Sequence, residues 1–204
     1  MSNSPPPPTP PLLPCAELVA ALGRQSIILI GMMGAGKSSI GRRLAKKLDL
    51  PFIDADTEIE LAAGMTISEI FEQHGEPYFR AGEARVLARL LEQGPQVLAT
   101  GGGAYMNADT RALIRKKGIT VWLKAEPDVL MRRIKRRSDR PLLQTADPEA
   151  TLNRLIEERY PVYAEAEITL QSRDVPHEVI VDEILAAIGE QLDGAGRRSE
   201  GTAS

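Results

Sequence analysis

Ile27-Ile-Leu-Ile-Gly31-Met-Met-Gly34-Ala35-Gly36-Lys37-Ser38-Ser39 decides the reading of this chain. Four branched or large apolar residues in a row read as a short central strand covered on both faces. The next eight residues fit G-x-x-x-x-G-K-[ST] without exception. An amphipathic stretch follows, with Ile40, Leu44 and Leu48 on one helical face. Strand, glycine loop and helix in that order make a phosphate-binding loop. Gly31, Gly34 and Gly36 open backbone conformations closed to other residues. Successive N–H groups can then converge on an anion, and the helix adds its positive end. Lys37 supplies a point charge for β and γ phosphates, and the Ser38 hydroxyl suits Mg²⁺. A bare glycine-rich turn would not need lysine and serine at those places.

Outward from this loop, apolar runs at Pro51–Ile53, Val97–Ala99, Ile119–Leu123 and Ile168–Leu170 alternate with helical patterns. Helices are expected from Thr66 to near Gly75, where Thr66 and Glu69 have capping-box spacing, and over Tyr78–Leu91 and Asp109–Lys117. Three more are expected over Pro127–Arg136, Glu149–Arg159 and Pro176–Ile188. This alternation predicts a parallel sheet in an α/β layer fold. The folded unit is placed at residues 25–188. Residues 1–24 are read as a proline-rich disordered lead-in, since seven of the first 15 residues are proline. Residues 189–204 are read as a disordered polar tail.

Composition narrows the function. With 25 basic and 28 acidic residues, the net charge is −3, and aromatic residues make up only 4%. Both argue against nucleic acid as a partner. One cysteine, Cys15, excludes an internal disulfide and fits a reducing, cytoplasmic setting. No apolar run is long enough to span a bilayer, and the start lacks the regions of a secretory signal.

A common P-loop NTPase has a second strand ending in aspartate. Here the corresponding strand, Gln96–Thr100, runs into Gly101, Gly102 and Gly103. The missing acid is sought in Asp54-Ala-Asp56, after the second strand. In extended chain both carboxylates would point the same way, one near the metal and one toward a substrate hydroxyl. The alternative is a helix N-cap at Asp56 or Thr57. Arg80 and Glu83 are three apart on a helix, so the glutamate can orient the guanidinium for bidentate carboxylate binding; an ordinary surface pair is the plain alternative. The run Met131–Leu143 carries six basic residues and is read as a lid, about residues 132–147, bringing arginines over a triphosphate.

These motifs together resemble the shikimate kinases, small relatives of the nucleoside-monophosphate kinases. The matching features are GMMGAGKS at Gly31–Ser38, D-x-D at Asp54 and Asp56, FRxxE at Phe79–Glu83 and GGG at Gly101–Gly103. RPLL at Arg140–Leu143 and RYPVYAEAE from Arg159 complete the set. The resemblance implies a three-layer P-loop kinase fold: a five-stranded parallel sheet in the order 2-3-1-4-5, with helices on both faces and a lid. It implies ATP- and Mg²⁺-dependent phosphorylation of the shikimate 3-hydroxyl, in chorismate and aromatic amino-acid synthesis. Lys37 would contact the β and γ phosphates. Gly34, Ala35, Gly36, Ser38 and Ser39 would complete the nucleotide loop, with Arg133 and Arg173 further along it. Ser38 and Asp54 would serve the metal, and Asp56 would bind substrate hydroxyls and act as base. Arg80 and Arg159 would grip the carboxylate, with Glu83 orienting Arg80. Gly101–Gly103 would admit the ring, and Arg140 would reach the transferring phosphate. By analogy the protein would be a monomer. Two rivals remain at this point: a kinase of another polyhydroxy acid such as gluconate, and a catalytically silent nucleotide-binding module.

Overall fold

The computed structural model describes residues 13–135 and 147–200. Five strands form one parallel sheet: β1 (Ser26–Ile30), β2 (Phe52–Asp54), β3 (Val97–Ala99), β4 (Gly118–Lys124) and β5 (Ile168–Gln171). Their order is β2-β3-β1-β4-β5, so β1 is central. All five of its residues are buried, which is why it reads as an unbroken apolar run rather than an alternating one. The helices are α1 (Cys15–Leu22), α2 (Lys37–Leu48), α3 (Ala55–Ala63), α4 (Ile67–Leu91), α5 (Ala108–Lys117), α6 (Pro127–Ile134), α7 (Pro148–Tyr163) and α8 (His177–Glu200). One group, α1, α2 and α8, packs together; α4, α5, α7 and the 3₁₀ turn Ala104–Met106 form another. A single large core runs through the sheet and these helices.

Local signals act where the sequence places them. Thr66 and Glu69 close a full capping box at the start of α4. Gly75, at φ 79°, breaks that helix into the two segments expected on either side of it.

Three boundaries differ from expectation. The lead-in does not extend to residue 24, because α1 buries Leu18 and Leu22 in the core; its first twelve residues lie outside the described ones. Nor does helical order stop at Ile188: α8 continues into the segment read as tail, with Leu192 packed against the core. And α7 does not end at Arg159 but runs through Pro161 to Tyr163. Proline removes one backbone bond there, yet Tyr160 and Tyr163 both pack against Trp122, and that burial holds the extra turn. Among the described residues, no helix is long and apolar enough to cross a membrane.

Candidate active site

The phosphate loop leaves β1 with Gly31, Gly34 and Gly36 at φ 140°, 81° and 95°. A side chain at Gly31 would also strike the Leu123 carbonyl, 2.7 Å from its Cβ position. The two methionines between the glycines point inward and are buried in the core. Lys37 opens α2, and its Nζ donates to the Gly31 and Met32 carbonyls at 2.8 and 3.1 Å, arching back over the loop. This holds the ammonium at the loop's mouth, where phosphate oxygens can take over those bonds.

The Ser38 hydroxyl donates to Asp54 Oδ2 at 2.7 Å. The other oxygen of Asp54 accepts from the Asp56 backbone N–H at 3.2 Å and caps α3. The extended geometry expected for Asp54 and Asp56 is therefore corrected. The chain turns into α3 at Ala55, the cap is Asp54 rather than Asp56 or Thr57, and Asp56 sits in the helix's first turn. Both aspartates nevertheless line the same cleft of about 440 Å³ as Gly34, Gly36, Lys37, Ser38, Ser39, Gly102, Arg133 and Arg173.

The three glycines after β3 explain themselves by what lies against them. A Cβ at Gly101 would stand 2.7 Å from Glu83 Oε1 and 2.8 Å from Asp56 Oδ1. One at Gly102 would stand 3.1 Å from Arg159 Nη1, and one at Gly103 within 2.4–2.5 Å of the Arg80 guanidinium. The glycine turn is thus the floor on which four charged side chains meet. Arg80 donates to Glu83 at 2.7 Å and to Glu76 at 3.0 Å. Glu83 is not a surface partner: its side chain is 3% exposed. Burial pushes its carboxyl up, Arg80 pulls it back, Asp56 pushes it up again, and the net shift is upward. Among the described residues, Glu83 Oε1 and Arg159 Nη1 have no hydrogen-bond partner.

Arg133 lies on α6, within the helix expected over Pro127–Arg136. It donates to the Gly34 carbonyl at 3.3 Å, to Ser172 Oγ at 2.8 Å and to Asp174 Oδ1 at 3.1 Å. Ser172 in turn donates to the Ala35 carbonyl at 2.8 Å. Arg173 borders the cleft but directs its guanidinium to Glu183. The segment 136–146, with Arg140, lies outside the described residues. Sequence reasoning missed Ser172, Asp174 and His177, all of which line the cleft; a lone serine or aspartate in a loop carries no motif.

A phosphate loop at the end of a central parallel strand, opening toward a floor of paired arginines and carboxylates, defines a P-loop kinase of small anionic alcohols. The family model for shikimate kinase matches residues 33–189, and the chain belongs to the shikimate kinase family. A shikimate kinase of Rhodopseudomonas palustris is 66% identical over 180 residues, spanning 88% of this chain and 89% of that one. One of Bradyrhizobium diazoefficiens is 63% identical over 181 residues, spanning 89% and 87%. A shikimate kinase from Acinetobacter baumannii, solved in complex with shikimate, is similar with a TM-score of 0.81 at 39% identity, covering 85% of this chain and 98% of that one. The reaction is phosphorylation of the shikimate 3-hydroxyl with ATP as donor.

Proposed function

We propose the following division of labour among the residues of the cleft. The backbone N–H groups from Gly34 to Ser39 and the N-terminal end of α2 hold the nucleotide's phosphates. Lys37 gives up its carbonyl partners for β and γ oxygens as the nucleotide enters. Arg133 and Arg173 border the rest of the nucleotide, and Arg140 reaches the transferring group.

Ser38 and Asp54 fit Mg²⁺ by their chemistry: a hydroxyl and a carboxylate oxygen 2.7 Å apart. Among the described residues no group of three or more His, Cys, Asp or Glu builds a closed cage, in keeping with a hard cation that takes its other ligands from phosphate and water. Bound there, magnesium would neutralise charge on the β and γ oxygens.

At the other end of the cleft, Arg80 and Arg159 bind the shikimate carboxylate. Glu83 orients Arg80, and the bare backbone of Gly101–Gly103 lets the ring lie close. Asp56 accepts the proton of the 3-hydroxyl as its oxygen attacks the γ phosphorus and ADP leaves. One observation carries this reading: Asp56 and Glu83 converge on the same glycine, so the putting together of base and carboxylate grip is a matter of one residue, Gly101.

The test is Asp56→Asn. Turnover is expected to fall about 10²–10⁴-fold, the usual share of a general base, while calorimetry still shows binding of ADP with magnesium and of shikimate. An unchanged kcat would remove Asp56 from the chemistry.

A further inference from the structure

Tyr163 has no part in the division of labour above, yet it touches two of its members. It lies one helical turn beyond Arg159 on α7, so the two side chains share a face. The residue is fully buried. Its hydroxyl donates to the Gly102 carbonyl, and the Arg159 guanidinium lies beside that same hydroxyl. Gly102 borders the cleft, and Arg159 Nη1 stands 3.1 Å from its Cβ position. The phenol ring is held by Trp122 edge-on at 5.9 Å, by Tyr160 at 6.3 Å and by Tyr105 at 6.5 Å. Burial pushes the phenol up to about 12 against the pull of Arg159, so the hydroxyl remains a donor at neutral pH. Arg159 is itself buried, and among the described residues its Nη1 has no hydrogen-bond partner. Such a group is costly to hold in the dry interior, and a rigid neighbour is what fixes its direction.

We propose that Tyr163 is a positioning residue of the acceptor site: its hydroxyl locks the Gly102 carbonyl and the Arg159 guanidinium into one arrangement, so the carboxylate grip exists before shikimate arrives. The proposal rests on Arg159 being a carboxylate ligand. Its energetic logic is preorganisation: a grip already ordered loses less entropy when it closes on its ligand.

Tyr163→Phe keeps the ring and removes only the hydroxyl. KM for shikimate is expected to rise about five- to tenfold, the worth of one neutral hydrogen bond, with kcat and KM for ATP changed by less than about twofold on that same account. Tyr160→Phe is the control: it removes a hydroxyl from the same aromatic cluster, one that donates to the Ala125 carbonyl, and should leave both KM values in place. Arg159→Lys keeps the charge and loses the planar fork, and should raise KM for shikimate by itself. Adding Tyr163→Phe to it should then change little, because the hydroxyl acts through Arg159. A raised KM in Arg159→Lys with an unchanged one in Tyr163→Phe would overturn the positioning role and leave the grip standing. An unchanged KM in Arg159→Lys would overturn both, starting with the grip. Additive losses, or parallel rises in both KM values, would mark Tyr163 as merely structural and overturn the proposal. If Tyr163→Phe lacks a cooperative thermal transition, Tyr163→Met, which also lacks the hydroxyl and adapts to irregular space, is measured for the same split.

Discussion

In the proposed acceptor site, Gly103 matters for what it lacks. Its backbone, at φ −96°, is open to any residue, so alanine there brings no backbone strain. The whole cost falls on Arg80, whose guanidinium atoms lie 2.4–2.5 Å from the new Cβ. Gly103→Ala should therefore raise KM for shikimate by roughly tenfold or more, the loss of a charged hydrogen bond, with KM for ATP unchanged; steady-state kinetics against both substrates checks it. Glu83 makes a second prediction at this scale. Its folded pKa is raised above the ordinary 4.5, chiefly by burial, so the folded protein holds that proton more tightly than the unfolded chain does. The resulting stability is fully present below the unfolded pKa and is lost as pH rises through the folded one. The melting temperature of the native protein relative to Glu83→Gln should accordingly fall as pH rises from about 4 to about 7. A constant difference would show that Arg80 offsets the burial completely. Lys37, Ser38 and the Arg80–Glu83 pair were legible because fixed spacing on a loop or helix determines what such residues can reach. The setting of Asp56 was not, because the strand stops at Asp54 and the chain turns at once into α3, whose first turn carries Asp56.

At the scale of elements, the proposed nucleotide side is assembled by a latch between the phosphate loop, α6 and the connection from β5 to α8. Ser172 is its centre: 3% exposed, donating to Ala35 and accepting from Arg133. Two carbonyls of the phosphate loop, Gly34 and Ala35, are thereby held from outside the loop. Ser172→Ala removes both bonds and leaves a buried carbonyl short of a partner. It should raise KM for ATP about tenfold, on a cost of about 1–2 kcal/mol, with KM for shikimate unmoved. Equal effects on both substrates would show a general loss of packing instead. The latch was invisible beforehand for a physical reason. The strands and helices announce themselves through apolar runs, apolar period and caps: β1 was readable as a run, α2 by its period, and the helix ending near Gly75 by its capping box. The connection after β5 has no period; its residues act through single side-chain bonds to a distant loop, and distance in sequence hides them. The end of α7 failed differently. Proline at 161 is a sound stop signal, overridden here because the tyrosines on either side of it, Tyr160 and Tyr163, have a tryptophan to bury against.

For the whole molecule, the layers decide what each end of the chain contributes. The site is built at the ends of β1, β2 and β3 and in the connections that follow these strands and β4 and β5, whereas α1 packs against α2 and α8. Leu18 and Leu22 are 1% and 2% exposed there, inside the main core. Proline-rich sequence before residue 15 made α1 read as part of a loose arm; its eight residues are too few to be stable alone, so only tertiary burial reveals it. Stability and catalysis should therefore separate at this end. Leu18→Ala should cost about 2–4 kcal/mol, as expected for a large residue deleted from a packed core. For a chain of this size that is a drop of roughly 5–15 °C in melting temperature. Below the transition, kcat and both KM values should match the native protein, since α1 supplies no group to the cleft. Calorimetric melting beside kinetics at about 15 °C below each variant's own midpoint separates the two effects. A loss of turnover at that temperature, with the fold intact, would mean that α1 reaches the phosphate loop through α2, the helix whose first residues are Lys37 and Ser38.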